Sequence, residues 1–85
     1  MIVLSLKAAR ANANLTLIEA SKILSINKDT LSRYERNSSH IPRSISLKMQ
    51  ELYQIPEKNL FFGDITEFHK KKQKHIQTMI QENEF

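Results

Sequence analysis

The sequence predicts an all-α protein of five helices followed by a C-terminal tail that is helical or partly disordered. Three observations carry this. The 85 residues include one Gly and two Pro, and no run alternates apolar and polar residues as a half-buried strand would. Apolar residues recur instead at three-to-four spacing in successive windows. Capping residues stand where those windows begin. A chain of this length holds one folded unit with a modest core. It divides by composition into residues 1–63 and a tail, 64–85. The formal net charge is +4, from 13 Lys+Arg and 9 Asp+Glu. In the tail, Asp64, Glu67, Glu82 and Glu84 balance Lys70, Lys71, Lys72 and Lys74, so the whole excess lies in residues 1–63. A basic folded unit with a tail of zero net charge fits a polyanionic partner. The absence of cysteine excludes disulfide staples, thiolate catalysis and cysteine-ligated zinc. No apolar run reaches the length of a membrane span, and Met1–Leu6 lacks a signal-peptide layout, so the expected compartment is the cytoplasm.

Leu6, Ala9, Arg10 and Ala13 form one face of a first helix, and Asn14 suits the left-handed conformation that ends it. Thr16-Leu17-Ile18-Glu19 is a capping box opening a second helix, which turns Leu17, Ala20, Ser21 and Leu24 inward. Ser25-Ile26 make a short turn, and Asn27 caps a third helix running to about Arg36. Asn37 to Pro42 is a loop of turn formers. Ile45, Met49 and Leu52 mark a fourth helix. Pro56 suits the first turn of a short fifth, with Leu60 and Phe61 or Phe62 facing the core and Gly63 ending it. In the tail, Ile65, Phe68, Ile76, Met79 and Ile80 give a helix with a narrow apolar stripe, which packs on a partner or frays.

The second and third helices are short, are joined by three residues and carry small residues mid-helix. Two such helices can cross closely at a steep angle, the helix-turn-helix arrangement. At about 100° per residue, Lys28, Asp29, Ser32, Arg33 and Arg36 fall within one arc of roughly 140° on the third helix. Thr30, Leu31, Tyr34 and Glu35 fall opposite. The polar arc offers guanidinium and ammonium donors for guanine and a carboxylate acceptor for cytosine. An isolated helix would show such a face merely as solvated surface; the preceding helix and the following basic loop favour a reading face.

At these residues the chain resembles the Cro/CI-type (XRE-like) helix-turn-helix family of phage repressors and bacterial transcriptional regulators. The likeness spans residues 5–62. Its densest part is Leu15-Thr16-Leu17-Ile18-Glu19-Ala20-Ser21-Lys22-Ile23-Leu24-Ser25-Ile26-Asn27-Lys28-Asp29-Thr30-Leu31-Ser32-Arg33-Tyr34-Glu35-Arg36-Asn37, followed by Pro42, Leu52-Tyr53-Gln54-Ile55 and Asn59-Leu60-Phe61. The resemblance implies a five-helix, lambda-repressor-like domain gripping double-stranded DNA through residues 16–43, with the third helix in the major groove. It implies that Lys28, Asp29 and Arg33 face bases, with Ser32 on the same arc. It implies that Thr16, Arg36, His40 and Arg43 lie near phosphates. It also implies that Arg10 and Glu35 form a largely buried ion pair. Their positions within inward faces agree, since each would be costly to bury alone.

The chain departs from the family pattern at three places. Leu17 stands where a phosphate-binding Gln is usual, which removes one side-chain contact but leaves the helix amides. Ser25 and Asn37 stand where Gly is usual. Asn tolerates the left-handed state, whereas Ser there costs roughly 1 kcal/mol. His40, His69 and His75 do not share the i, i+4 spacing of a helical metal pair, so no metal and no cofactor is expected. No Gly-rich loop or nucleophile–base pair points to an enzyme. The tail run His69-Lys70-Lys71-Lys72 reads as a solvated face. The expected function is a repressor-like regulator acting as a homodimer on a palindromic operator. The alternative is an antitoxin or protein-binding module on the same fold, its tail engaging a protein partner.

Overall fold

The computed structural model describes residues 2–82. Among these the chain forms five α-helices: α1 (Leu6–Asn12), α2 (Leu17–Leu24), α3 (Lys28–Arg36), α4 (Arg43–Tyr53) and α5 (Ile65–Glu82). α1 to α4 close around one core made of Leu6, Ala9, Ala20, Leu24, Leu31, Met49, Tyr53 and Leu60. Leu17, Ile26, Tyr34, Ile45 and Leu52 pack on its edge. None of the five helices is long and apolar enough to cross a membrane.

Local chemistry sets where the early helices start and stop. Ser5 caps α1 by accepting a hydrogen bond from the Ala8 amide at 3.1 Å. Asn14 follows with φ 59°, the left-handed turn that lets the chain reverse into α2. The Thr16 hydroxyl accepts from the Glu19 amide at 3.1 Å, and the Glu19 carboxylate accepts from the Thr16 amide at 2.9 Å. That reciprocal bonding, led by the Thr16 backbone amide, holds the Glu19 carboxyl below its ordinary range. Ala20 and Ser21 are buried in the middle of α2, and Ser21 turns its hydroxyl back onto the Ile18 carbonyl at 2.8 Å. Two small residues there let α3 approach closely.

The C-terminal part differs from the expected short helix over Pro56–Gly63. Only one 3-10 turn forms, Glu57–Asn59, with Pro56 as its cap. The reason lies at the other end of the chain. The Leu4 amide donates to the Asn59 carbonyl and the Phe61 amide donates to the Leu4 carbonyl, both at 2.8 Å. An α-helical turn would need that Phe61 donor for Glu57, so residue 60 stays extended and pairs with residue 4. The fifth α-helix is instead the tail, from Ile65 to Glu82. The loop after α3 is tied to it. The Ser38 amide donates to the Gly63 carbonyl at 3.0 Å, and the buried Ser38 hydroxyl accepts from the Gly63 amide at 2.9 Å. Phe61 stacks on Phe68 of α5 with ring centroids 4.4 Å apart.

Candidate nucleic-acid interface

α3 is held by its inner face. Leu31 is fully buried, Tyr34 is half-buried against the core, and Glu35 points inward toward α1. There Arg10 and Glu35 meet as a fork. Nε lies 2.7 Å from Oε2 and Nη2 lies 3.1 Å from Oε1. Both side chains are largely buried, at 13% and 8% exposure. The remaining guanidinium nitrogen, Nη1, donates to the Leu15 carbonyl at 3.0 Å. One guanidinium thus joins α1, the α1–α2 turn and α3. Its hydrogen bond to Glu35 raises the Arg10 pKa further and keeps it charged.

With that inner face fixed, the outer face follows from the helical period. Lys28, Asp29, Arg33 and Arg36 are exposed. Asn27 caps the helix by accepting from the Asp29 amide at 2.7 Å. Asp29 sits in the first turn and Arg33 and Arg36 in the last, the arrangement the helix dipole favours. Ser32 is half-buried at the rim of this face. It lines a groove between α1, α3 and α5 whose walls also hold Arg36, Ile65 and His69.

The turn before α3 sets its angle. Ser25 adopts φ 58° and ψ 40°, and the Ile26 amide reaches back to the Ser21 carbonyl at 3.0 Å. Ile26 then tucks toward the core. After α3, Asn37 is extended rather than left-handed, with φ −153°. Its side-chain oxygen accepts from the Ser39 amide at 3.0 Å, and its backbone pairs with Asp64. An extended Asn37 lets the chain bridge to α5, so this position does not need a glycine's freedom.

The other polar candidates flank this helix in sequence and are exposed. Thr16 is exposed at the start of α2, with its hydroxyl already accepting from Glu19. His40 is exposed in the loop after α3. Arg43 opens α4 and pairs with Glu57 at 3.1 Å, both side chains more than half exposed. Leu17 packs on the edge of the core, and its neighbour Ile18 is exposed.

Three contributors escaped the sequence reading. Ser5, directly before the first apolar-periodic residue, carried the N-cap signal that finds it. Ser38 and Glu57 carried none, because their partners Gly63 and Arg43 are distant in sequence.

The arrangement is two short helices joined through a left-handed turn, the second presenting a polar, mostly cationic face. Comparison with known proteins bears on it directly. No curated protein matches the chain. The helix-turn-helix family model matches residues 6–60, which is more than half of the chain and includes α1 to α4. The chain therefore belongs to the helix-turn-helix family of Cro/CI (XRE-like) type, and is a DNA-binding helix-turn-helix regulator.

Proposed function

We propose that the protein is a sequence-specific, repressor-like transcriptional regulator, acting as a homodimer that lays α3 in the major groove of a palindromic operator. The observation that carries this reading is the exposed outer face of α3, where Lys28, Asp29 and Arg33 stand clear of the core while Leu31 is fully buried behind them. In this reading Lys28, Asp29, Arg33 and, at the rim, Ser32 meet base edges. Thr16, Arg36, His40 and Arg43 meet phosphates, which position the protein without reading sequence. Residues 1–63 are the DNA-binding unit and residues 64–85 serve association. Selection of bound duplexes from a random pool tests it. A two-fold consensus with half-sites about 10–10.5 base pairs apart is the expected result, and a pool without enrichment would refute it.

Reading and gripping separate by mutation. Arg33→Ala should weaken operator binding by about 1–3 kcal/mol and relax preference at one base pair per half-site. Arg43→Ala should weaken operator and scrambled DNA alike and lower the slope of log affinity against log salt by about 1. Anisotropy titrations on both duplexes across a salt series give the answer. Equal losses on both duplexes for Arg33→Ala would make it a phosphate clamp.

A second reading, an antitoxin or other protein-binding module, draws on exposed Ile76 and Ile80 of α5. It predicts a heterologous complex that survives Arg33→Ala.

A further inference from the structure

The first two turns of α5 are anchored to the domain, and its described residues after Lys72 are exposed. Phe68 stacks on Phe61, and Lys72 lies 4.8 Å over the Phe68 ring while reaching the Val3 carbonyl. Past that point the same apolar stripe continues through Ile76 and Ile80, both 54% exposed. Between Phe68 and Ile76 lies a shallow apolar groove flanked by Lys71 and His75.

We propose that this half of α5 pairs with α5 of a second copy of the chain, antiparallel, with the two-fold axis beside Ile76. Charge selects the partner and its direction. Lys70, Lys71 and Lys72 lie in the N-terminal half of α5 and Lys74 just past its midpoint, and its last described residue is Glu82. A parallel pair would set the four lysines beside their own copies. In an antiparallel pair, the lysine-rich turns of one helix lie beside the Glu82 end of the other. Lys71 and Glu82 are 11 residues apart, about three turns, so they occupy one flank of the stripe. The two-fold axis at Ile76 brings each Lys71 to the Glu82 of its mate. The same register puts Ile76 against Ile76 and seats Ile80 of the second copy in the groove between Phe68 and Ile76.

Length supports this geometry, in a step that rests on the proposed operator reading. Asp64, whose backbone pairs with Asn37 just after α3, precedes Ile76 by 12 positions. At about 1.5 Å per residue the two copies of this junction lie about 36 Å apart along the helix pair. Half-sites one DNA turn apart are separated by about 34–36 Å. The paired helices are thus a spacer of operator length.

Sedimentation of the full chain without DNA tests the pairing independently of the operator reading. The chain should be a dimer at micromolar concentration. Ile76→Asp should be monomeric with unchanged helical circular dichroism, since Ile76 is exposed within its own chain. Lys71→Glu should dissociate about tenfold more readily, because two opposed pairs turn repulsive. Lys71→Glu combined with Glu82→Lys should restore the parent's association. A monomeric parent, an unaffected Lys71→Glu chain, or a double variant as weak as the single one would overturn the pairing. A monomer that instead sediments with anionic vesicles or with an unrelated protein would overturn it in favour of that occupant. An intact dimer that binds no duplex counts against the operator reading alone.

Discussion

Arg10 spends its guanidinium on three elements at once, and the arithmetic of buried charge says what that is worth. A buried fork pair that loses one member leaves the other desolvated and uncompensated. Arg10→Ala or Glu35→Ala should each cost about 3–5 kcal/mol in urea melts. The double variant should cost less than the sum, by roughly 0.5–3 kcal/mol; additive losses would mean the two do not act as a pair. Near this pair stands Tyr53, buried at 3% exposure, whose hydroxyl has no hydrogen-bond partner among the described residues. Burial first, then the Glu35 charge, pushes its pKa up to about 12 from 10.0. The unfolded chain therefore releases this proton near pH 10 while the folded chain still holds it. Stability is full below pH 10 and falls as pH rises toward about 12. Tyr53→Phe should flatten that alkaline loss and, by removing an unpaired buried hydroxyl, be neutral or stabilising by about 1 kcal/mol at pH 7. A Phe variant that melts earlier at pH 7 would show that the hydroxyl has a partner in solution.

Between elements, the left-handed residues carry the joints. Ser25 supplies the αL conformation of the turn between α2 and α3 at a steric cost of about 1 kcal/mol. Ser25→Gly should therefore raise stability by about 0.5–1 kcal/mol, while the same exchange at Ser44, exposed in the first turn of α4, should lower it. Opposite signs in paired thermal melts are the expected result, and a loss at both positions would mean that Ser25 is not strained. How far each joint could be read from sequence follows its range. The Thr16–Glu19 box, the Asn27 cap and the Asn14 turn are made by neighbours in the chain, so their residue types announce them. Gln54 also turns left-handed, at φ 57°, but Gln carries no such preference and the sequence does not reveal it. The stretch after Pro56 was misleading for the opposite reason. Its local signals favour a helix, yet Leu4, more than fifty residues away, takes the hydrogen bonds a helix needs. The α3 face was legible because period and burial agree on it. The groove at Ser32 was not, because one wall belongs to α5.

At the scale of the molecule, the shape is a small helical domain with a rod. The extents are 52 × 21 × 21 Å, and the long dimension reflects the 18-residue α5. The rod has two halves with different work, which two truncations separate. A chain ending at Lys72 keeps the Phe61–Phe68 stack and the Lys72 contacts while losing Ile76 and Ile80. A chain ending at Gly63 loses the stack as well. An aromatic pair contributes about 0.5–1.5 kcal/mol beyond the area it buries. The shorter chain should therefore melt earlier, by about 1–2 kcal/mol, while the chain ending at Lys72 should melt close to the parent. Both should sediment as monomers if association resides in the second half of the rod. On a single half-site the chain ending at Lys72 should bind as the parent does, since all of its α3 face is intact. On a full two-fold site it should lose the advantage of linked half-sites, which the parent gains from effective concentration alone. Melts, sedimentation and anisotropy on the two duplexes read these effects separately. A dimeric chain ending at Lys72 would move the association surface onto the domain, and equal melts for the two truncations would show that Phe68 does not stabilise the fold.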